Sequence, residues 1–340
     1  MQIKNAKLLF VLSALVLVSC NSSPSKKKKT SSMSGEGPTT SIEPTSGSVM
    51  PDPTSGSQTS GQSSSPTSIP HGPVGPDVVG DTDYSRCQEA FAEGDPDELY
   101  TQIYNAIKDG TSGSYGGLYD TYKAAYLRED GYLFDYYSSI TSYDVDKDTG
   151  SYKKEGDAYN REHSIPQSWW GGGTGTGTQG ADPFIVVPSD GYVNGARSNH
   201  PFGYVKTASK EFSNSKVGTA DSSYGYSGTV FEPHDSLKGD FARIYFYAVA
   251  KYNAYSWTQG SGSDYGRTCF TGNKSQNYGL TDYSIKLFSE WSNNDPVSEW
   301  ELHVNNNVEP IQGNRNPFID HPEYANLLWG SNASYTMYNH

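Results

Sequence analysis

Cysteine is scarce in this chain, which holds 3 among 340 residues. Cys20 lies in an N-terminal leader, so Cys87 and Cys269 are left for the rest of the protein. Those two could form at most one bridge. Whether they pair or remain thiols stays open, because sequence spacing does not fix disulfide geometry.

Positive charge is also in short supply. Lys and Arg total 25 against 38 Asp and Glu, so the formal net charge is −13 and the pI is about 4.9. This balance argues against a broad basic footprint for nucleic acid. A polyanionic ligand would need a local basic cleft or a metal-bearing one.

The N-terminal apolar run is too short to span a bilayer. Leu8–Val18 covers about 11 residues, whereas a spanning helix needs about 20. A short basic region precedes it, and Leu17-Val18-Ser19-Cys20 follows as a small-residue cleavage site. The pattern resembles the lipobox of bacterial lipoproteins and predicts a signal peptide over residues 1–19 with lipidation of Cys20. An ordinary cleaved signal peptide with an incidental Cys20 is the alternative.

A change in composition divides the remaining chain. Residues 20–82 are dominated by Ser, Thr, Gly and Pro, which bury too little apolar surface to offset their ordering entropy, so they are predicted to be a disordered tether. Lys26–Lys29 would lie near the membrane, where the run either favours anionic headgroups or only adds solubility. Residues 83–340 suit one large single domain rich in tyrosine.

Hydrophobic periodicity predicts a mainly helical domain of the α+β class. Short strands are expected at 132–137 and 183–188, with Ser189 and Asp190 starting a helix that carries Asn194. Residues 237–252 are predicted to form a strongly amphipathic helix. The other predicted helices cover residues 95–108, 118–126, 283–291, 297–308 and 323–329.

The stretch YNREHSIPQ, residues 159–167, places Glu162 beside His163. Glu162 offers a carboxylate oxygen and Asn194, about 30 residues later, an amide oxygen, both of which suit Mg²⁺ or Ca²⁺. His163 can take a proton from water, and a metal can stabilise charge on a phosphate. Adjacent residues of a regular strand point to opposite faces, so a shared site predicts an irregular backbone before Pro166.

Further segments follow in a characteristic order, namely VVPSDGYVNGARSNHPFG, GDFARIYFYAVAKY, DPVSEWE and IQGNRNPFIDHPE. With NREHSIPQSWW, over about residues 95–330, they resemble the bacterial endonuclease I family of non-specific nucleases. The resemblance implies a small ββα-metal (His-Me finger) core and Mg²⁺-dependent hydrolysis of DNA and often RNA, with Ca²⁺ or Mn²⁺ as alternative metals. It also implies that His163 is the general base and that Glu162 and Asn194 are metal ligands.

Family members also place an arginine near the scissile phosphate, in some cases from the loop between the two motifs. Here that loop, residues 170–182, contains no arginine. The candidates are Arg197, Arg161 and Arg243. Arg197 ranks first because it would lie one helical step from Asn194, and a guanidinium can bind phosphate with two hydrogen bonds.

Together these features predict an endonuclease held at the extracellular face of the cell membrane by its N-terminal lipid. We expect a monomer that hydrolyses DNA, and RNA as a further substrate, without sequence specificity. One alternative is an inactive lipoprotein that only binds nucleic acid at the cell surface. Another is a surface adhesin whose aromatic residues bind glycans.

Overall fold

A computed structural model describes residues 80–252 and 254–330. The predicted signal peptide, Cys20 and the tether up to residue 79 lie outside the described residues. Thr82 is already anchored, since its backbone N and its Oγ1 donate to Glu309 Oε1 at 2.9 and 2.7 Å. Within the described ranges, no helix is both long enough and apolar enough to cross a membrane.

Helices form most of the regular structure, and their ends follow local signals. α2 starts where the Asp95 side chain accepts from Asp97 N and Glu98 N, and α9 starts with a capping box between Ser298 and Glu301. The described α-helices are α1 Ser85–Glu93, α2 Pro96–Ile107, α3 Leu118–Ala125, α4 Gln167–Trp170, α5 Gly191–Arg197, α6 Lys238–Lys251, α7 Ser263–Cys269, α8 Asp282–Asn294, α9 Glu299–Gln312, α10 Pro317–Asp320 and α11 Glu323–Trp329.

The strands form two small antiparallel sheets. β1 Tyr159–His163 pairs with β2 Val186–Asp190. β3 Val205–Glu211, β4 Lys216–Ala220 and β5 Thr229–Glu232 form the other sheet, in the order β3-β4-β5. This mixture of helices and small sheets agrees with the predicted α+β class.

Helix α6 lies at the centre of the core, and every one of its residues is buried. The helix predicted at 237–252 is confirmed, but the exposed face that its amphipathic pattern predicted is wrong, because all sides of the helix are covered. Three of its four charged side chains donate hydrogen bonds: Lys238 Nζ to Glu232, Arg243 Nε to Glu301, and Lys251 Nζ to the Asn314 side chain. The fourth, Asp240, lies 3.6 Å from Arg243 Nη2. Paired in this way, the charges can remain in the interior.

Two predicted strands differ from the structure. Residues 132–137 form no strand and make isolated bridges through Leu133, because the Asp135 carboxylate accepts from the backbone N of Tyr137 and of Ser138 and turns the chain. The strand predicted at 183–188 begins only at Val186, because Asp182 O accepts from the backbone N of Ile185 and of Val186.

Candidate active site

The two motifs meet in the β1-β2-α5 unit. Glu162 pairs with Val187 and His163 with Val186, so the sequence after β2 returns beside β1 and continues as α5. Asp190 starts α5 by accepting from Val193 N at 2.8 Å. The same carboxylate accepts from Tyr143 OH at 2.5 Å and Gly156 N at 2.7 Å, which fixes the strand-to-helix junction.

β1 keeps a regular register through His163, and Ser164 N continues the pairing by donating to Ile185 O. The chain bends only at Ser164 and Ile165, directly before Pro166, so the irregular backbone expected at Glu162 and His163 themselves is wrong. Glu162 and His163 consequently lie on opposite faces of the strand. Glu162 shares its face with Asn160 and contacts α5, whereas His163 shares the other face with Arg161.

Glu162 lies in the interior, with a relative exposure of 3%. Its Oε1 accepts from Tyr137 OH at 2.9 Å and from Arg197 Nη1 at 2.5 Å. Burial raises the pKa of Glu162 to about 7, and the Arg197 charge and the two hydrogen bonds oppose that rise. Within the described part of the chain, Oε2 accepts no hydrogen bond, so one carboxylate oxygen is left for another ligand.

Arg197 is completely buried. Besides Glu162, its guanidinium donates to His163 O at 3.0 Å and Ser164 O at 2.8 Å, and it packs over the Phe202 ring at 4.7 Å. The residue thus connects α5 to the end of β1. A substrate phosphate outside the fold would not meet this side chain.

Asn194 is half-buried on α5, and its Nδ2 donates to Asn160 Oδ1 at 2.7 Å. That bond commits the amide nitrogen and leaves Asn194 Oδ1 as an acceptor. Glu162 Oε2 and Asn194 Oδ1 are both hard oxygens, the atom type that Mg²⁺ prefers, so the donor set fits a divalent cation. Among the described residues, no group of three or more His, Cys, Asp and Glu side chains could hold a metal ion.

His163 lies half-buried on the opposite face of β1. Its ring is stacked on Tyr115 at 5.5 Å between centroids and meets Trp170 edge-on at 5.7 Å. Its Nε2 lies 3.2 Å from Gly180 O. Burial lowers the pKa of His163 to about 4, and the hydrogen bond to Gly180 opposes that fall, so the imidazole is neutral at pH 7.

The Gly180 carbonyl is held by the turn that precedes β2. A Cβ at Gly180 would lie 2.6 Å from Gly173 O, so this close approach of two loop segments requires glycine. Asp182, also buried, accepts from Tyr247 OH at 2.8 Å and Tyr252 OH at 2.7 Å. These contacts tie the turn to α6 and fix the partner of His163.

The sequence reasoning missed Tyr137, Tyr115, Gly180 and Asp182. Each acts through a partner that is distant in the chain, so periodicity gave no signal for any of them. A signal existed for Asp182, since an acidic residue before Pro183 and an apolar strand can cap a turn. Cys87 and Cys269, whose state was left open, are free and buried thiols.

Comparisons with known proteins show what this chain is similar to. The profile of the Endonuclease I family matches residues 96–323, which include β1, β2 and α5. An extracellular ribonuclease of Bacillus amyloliquefaciens is 37% identical over 173 residues, 50% of this chain and 54% of that protein. An extracellular ribonuclease of Bacillus subtilis (strain 168) is 36% identical over 174 residues, again 50% and 54% of the two chains.

A more distant relative is named as an endonuclease. Endonuclease-1 of Buchnera aphidicola subsp. Acyrthosiphon pisum is 25% identical over 139 residues, 41% of this chain and 44% of that protein. The chain thus spans about half the length of the curated relatives it matches. Because the profile covers most of the chain, including the whole β1-β2-α5 unit, this protein belongs to the Endonuclease I family.

Proposed function

We propose that this protein is a metal-dependent endonuclease that hydrolyses phosphodiester bonds in nucleic acid. The observation that carries the proposal is the end of β1, where a neutral imidazole lies on one face and two uncommitted oxygens lie on the other. Because β1 ends at His163 and the chain bends at Ser164, the phosphodiester is proposed to lie beyond the strand end, where groups from both faces can reach it. The relatives support it, since their names describe ribonucleases and endonucleases.

His163 is proposed as the general base. A carbonyl oxygen can only accept, so Nε2 carries the proton that is donated to Gly180 O, and Nδ1 is left with a free lone pair. Nδ1 takes a proton from a water molecule as the water oxygen bonds to phosphorus and the bond to the leaving nucleotide oxygen breaks. The stacking on Tyr115 and the bond to Gly180 keep the ring in one orientation during this transfer.

Glu162 Oε2 and Asn194 Oδ1 would hold the cation, for which Mg²⁺ is proposed and Ca²⁺ or Mn²⁺ are alternatives. A bound divalent cation would stabilise negative charge on the phosphate and the leaving oxygen. The protein's own contribution is to aim the two oxygens: Tyr137 and Arg197 hold Glu162 through Oε1, and Asn160 holds the Asn194 amide.

Arg197 is proposed as a positioning residue in place of the phosphate contact first expected of it. Its guanidinium is enclosed and engaged with Glu162 and with the carbonyls of His163 and Ser164. This arrangement couples the orientation of the metal-binding carboxylate to the backbone that carries the base.

The substrate is proposed to be DNA, and also RNA, without sequence specificity and with the protein acting as a monomer. Attachment through Cys20 to the extracellular face of the membrane is a further proposal from the lipobox. It fits relatives whose names describe extracellular enzymes. Radiolabelled palmitate incorporation into wild type but not Cys20→Ala would test the anchor.

Cleavage assays test the activity. Wild type is expected to nick supercoiled plasmid and to degrade a mixed RNA with Mg²⁺, and to lose both activities in EDTA. His163→Ala should lose at least about 100-fold in rate, because a general base contributes about 10²–10⁴-fold. His234→Ala is the matched control, since His234 is also half-buried but lies outside β1, β2 and α5.

The outcomes separate the candidates. Intact plasmid and RNA after incubation with folded wild type would remove the enzyme proposal. Retardation of the same nucleic acid without cleavage would instead support the inactive nucleic-acid-binding lipoprotein. Undiminished cleavage by His163→Ala would remove the general-base assignment and leave the activity in place.

A further inference from the structure

Arg161 differs from every other arginine of the chain, all of which lie in described residues. It has no carboxylate oxygen within 4.0 Å among the residues that the structure describes. Each of the others lies within that distance of Asp or Glu: Arg86, Arg128, Arg197, Arg243, Arg267 and Arg315. In an acidic protein, a half-buried guanidinium without a counter-charge is available to an anionic ligand.

Aromatic side chains hold this guanidinium in place. Arg161 Cζ lies 3.7 Å from the centroid of the Tyr115 ring and 4.4 Å from that of Tyr119. Its Nη1 donates to Tyr115 O at 2.7 Å, and the guanidinium also interacts with the Tyr115 side chain. The rings contact the guanidinium without neutralising it, so its charge and its remaining N–H donors stay available.

Arg161 lies on the same face of β1 as His163. Two residues along a strand correspond to about 7 Å, and Tyr115 contacts both side chains, since it stacks on the imidazole and on the guanidinium. An anion bound to the free donors of Arg161 would therefore lie beside the proposed base. Arg197 cannot take that place, because it is completely buried on the opposite face.

We propose that Arg161 binds a backbone phosphate of the nucleic acid next to the bond addressed by His163, with Tyr115 and Tyr119 holding its plane. This inference rests on the proposed nuclease function and names the phosphate-binding residue of that site. A planar guanidinium with free N–H groups matches two phosphate oxygens.

Substitutions at Arg161 test this assignment through activity. Arg161→Gln is expected to lower kcat/KM on a DNA oligonucleotide about 10- to 100-fold, the loss typical of a hydrogen bond to a charged group. Arg161→Lys keeps the charge but not the planar fork, so an intermediate loss is expected. Arg86→Gln is the control, because the Arg86 side chain is 75% exposed and pairs with Glu89 on α1.

A binding measurement separates contact with phosphate from a structural role. On the His163→Ala background in EDTA, Arg161→Gln should reduce the slope of log Kd against log salt by about 0.7–0.9, the value for one phosphate contact. Replacing single DNA phosphates by neutral methylphosphonates should then find one position at which binding by the protein with Arg161 weakens about 10-fold, whereas binding by Arg161→Gln weakens less than about 2-fold. A purely structural arginine would give no such position.

Each outcome decides the matter. Unchanged kcat/KM and an unchanged salt slope in folded Arg161→Gln would overturn the inference while leaving the nuclease proposal intact. Absence of cleavage by wild type would remove the nuclease proposal, and the salt slope would still report on Arg161. If Arg161→Gln does not fold, the methylphosphonate scan uses Arg161→Met, which keeps much of the apolar side-chain length but no charge. Sensitivity equal to that of the protein with Arg161 at every position would then overturn the inference.

Discussion

Replacing Arg197 by methionine is expected to destabilise the protein strongly. The substitution keeps most of the side-chain length but removes the guanidinium from a pair in which Arg197 is 0% and Glu162 3% exposed. Glu162 would lose its compensating charge, and the carbonyls of His163 and Ser164 would lose a donor. Removing one partner of a buried ion pair typically lowers the free energy of unfolding by about 3–5 kcal/mol.

Urea unfolding followed by tryptophan fluorescence measures this loss. Arg267→Met provides the comparison, because Arg267 and Asp264 are 55% and 94% exposed and such a pair contributes about 0–1 kcal/mol. Adding Glu162→Gln to Arg197→Met should recover part of the stability, since the buried charge is then absent. The double-mutant cycle of these two substitutions should therefore give a coupling energy above about 1.5 kcal/mol.

The same experiment decides where Arg197 acts. An arginine that reached out to a phosphate would be dispensable for folding. A loss below about 1 kcal/mol in Arg197→Met, with additive effects of the two substitutions and a reduced salt dependence of DNA binding, would refute the positioning role and restore the phosphate contact.

Other residues around the site give further expectations. Tyr137→Phe should lower the free energy of unfolding by about 0.5–1.5 kcal/mol in urea titrations, since it removes one donor to Glu162; no change would show that this bond contributes nothing. Asp190→Ala should lower the free energy of unfolding by about 2–4 kcal/mol in the same assay, because it removes the α5 cap and leaves Tyr143 OH and Gly156 N unpaired. Asp221→Ala, which removes one solvent-accessible bond from Ser223 N, should lower it by clearly less. Burial raises the pKa of Asp135 from 3.8 to about 7, so ionising this carboxyl between pH 4 and 7 costs more in the folded than in the unfolded protein. The free energy of unfolding of wild type should therefore fall relative to that of Asp135→Asn as the pH rises from 4 to 7, and the difference should stay constant above pH 7. A constant difference from pH 4 to 8 would contradict this.

Local signals in the sequence were enough to predict several elements. α2 could be predicted because Asp95 caps it, Pro96 occupies its first position, and Leu99, Ile103 and Ile107 share one face. α11 was predicted at the residues where it is found, 323–329. The start of α5 followed from Asp190 in the same way, and with it the placement of Asn194 on a helix beside β1.

What the sequence could not supply were partners far apart in the chain. The burial of Arg197 depends on Glu162, which is separated from it by 35 positions, and helical spacing describes Arg197 only relative to its own helix. α6 can be buried because Glu232 and Glu301, which lie outside the helix, accept hydrogen bonds from Lys238 and Arg243. The sheet of β3, β4 and β5 was not predicted, because β3 is exposed along most of its length and its sequence shows no alternation of apolar and polar residues.

The complete enclosure of α6 has a consequence for how the domain opens. Backbone amides of a helix whose residues are all buried exchange with deuterium mainly when the surrounding structure separates, so the amides of α6 should exchange at the rate of global unfolding. The turn at Asp182 is tied to this helix through Tyr247 and Tyr252 and should share its protection. His163, whose imidazole is held by Gly180 in that turn, would thereby keep its orientation until the whole domain unfolds.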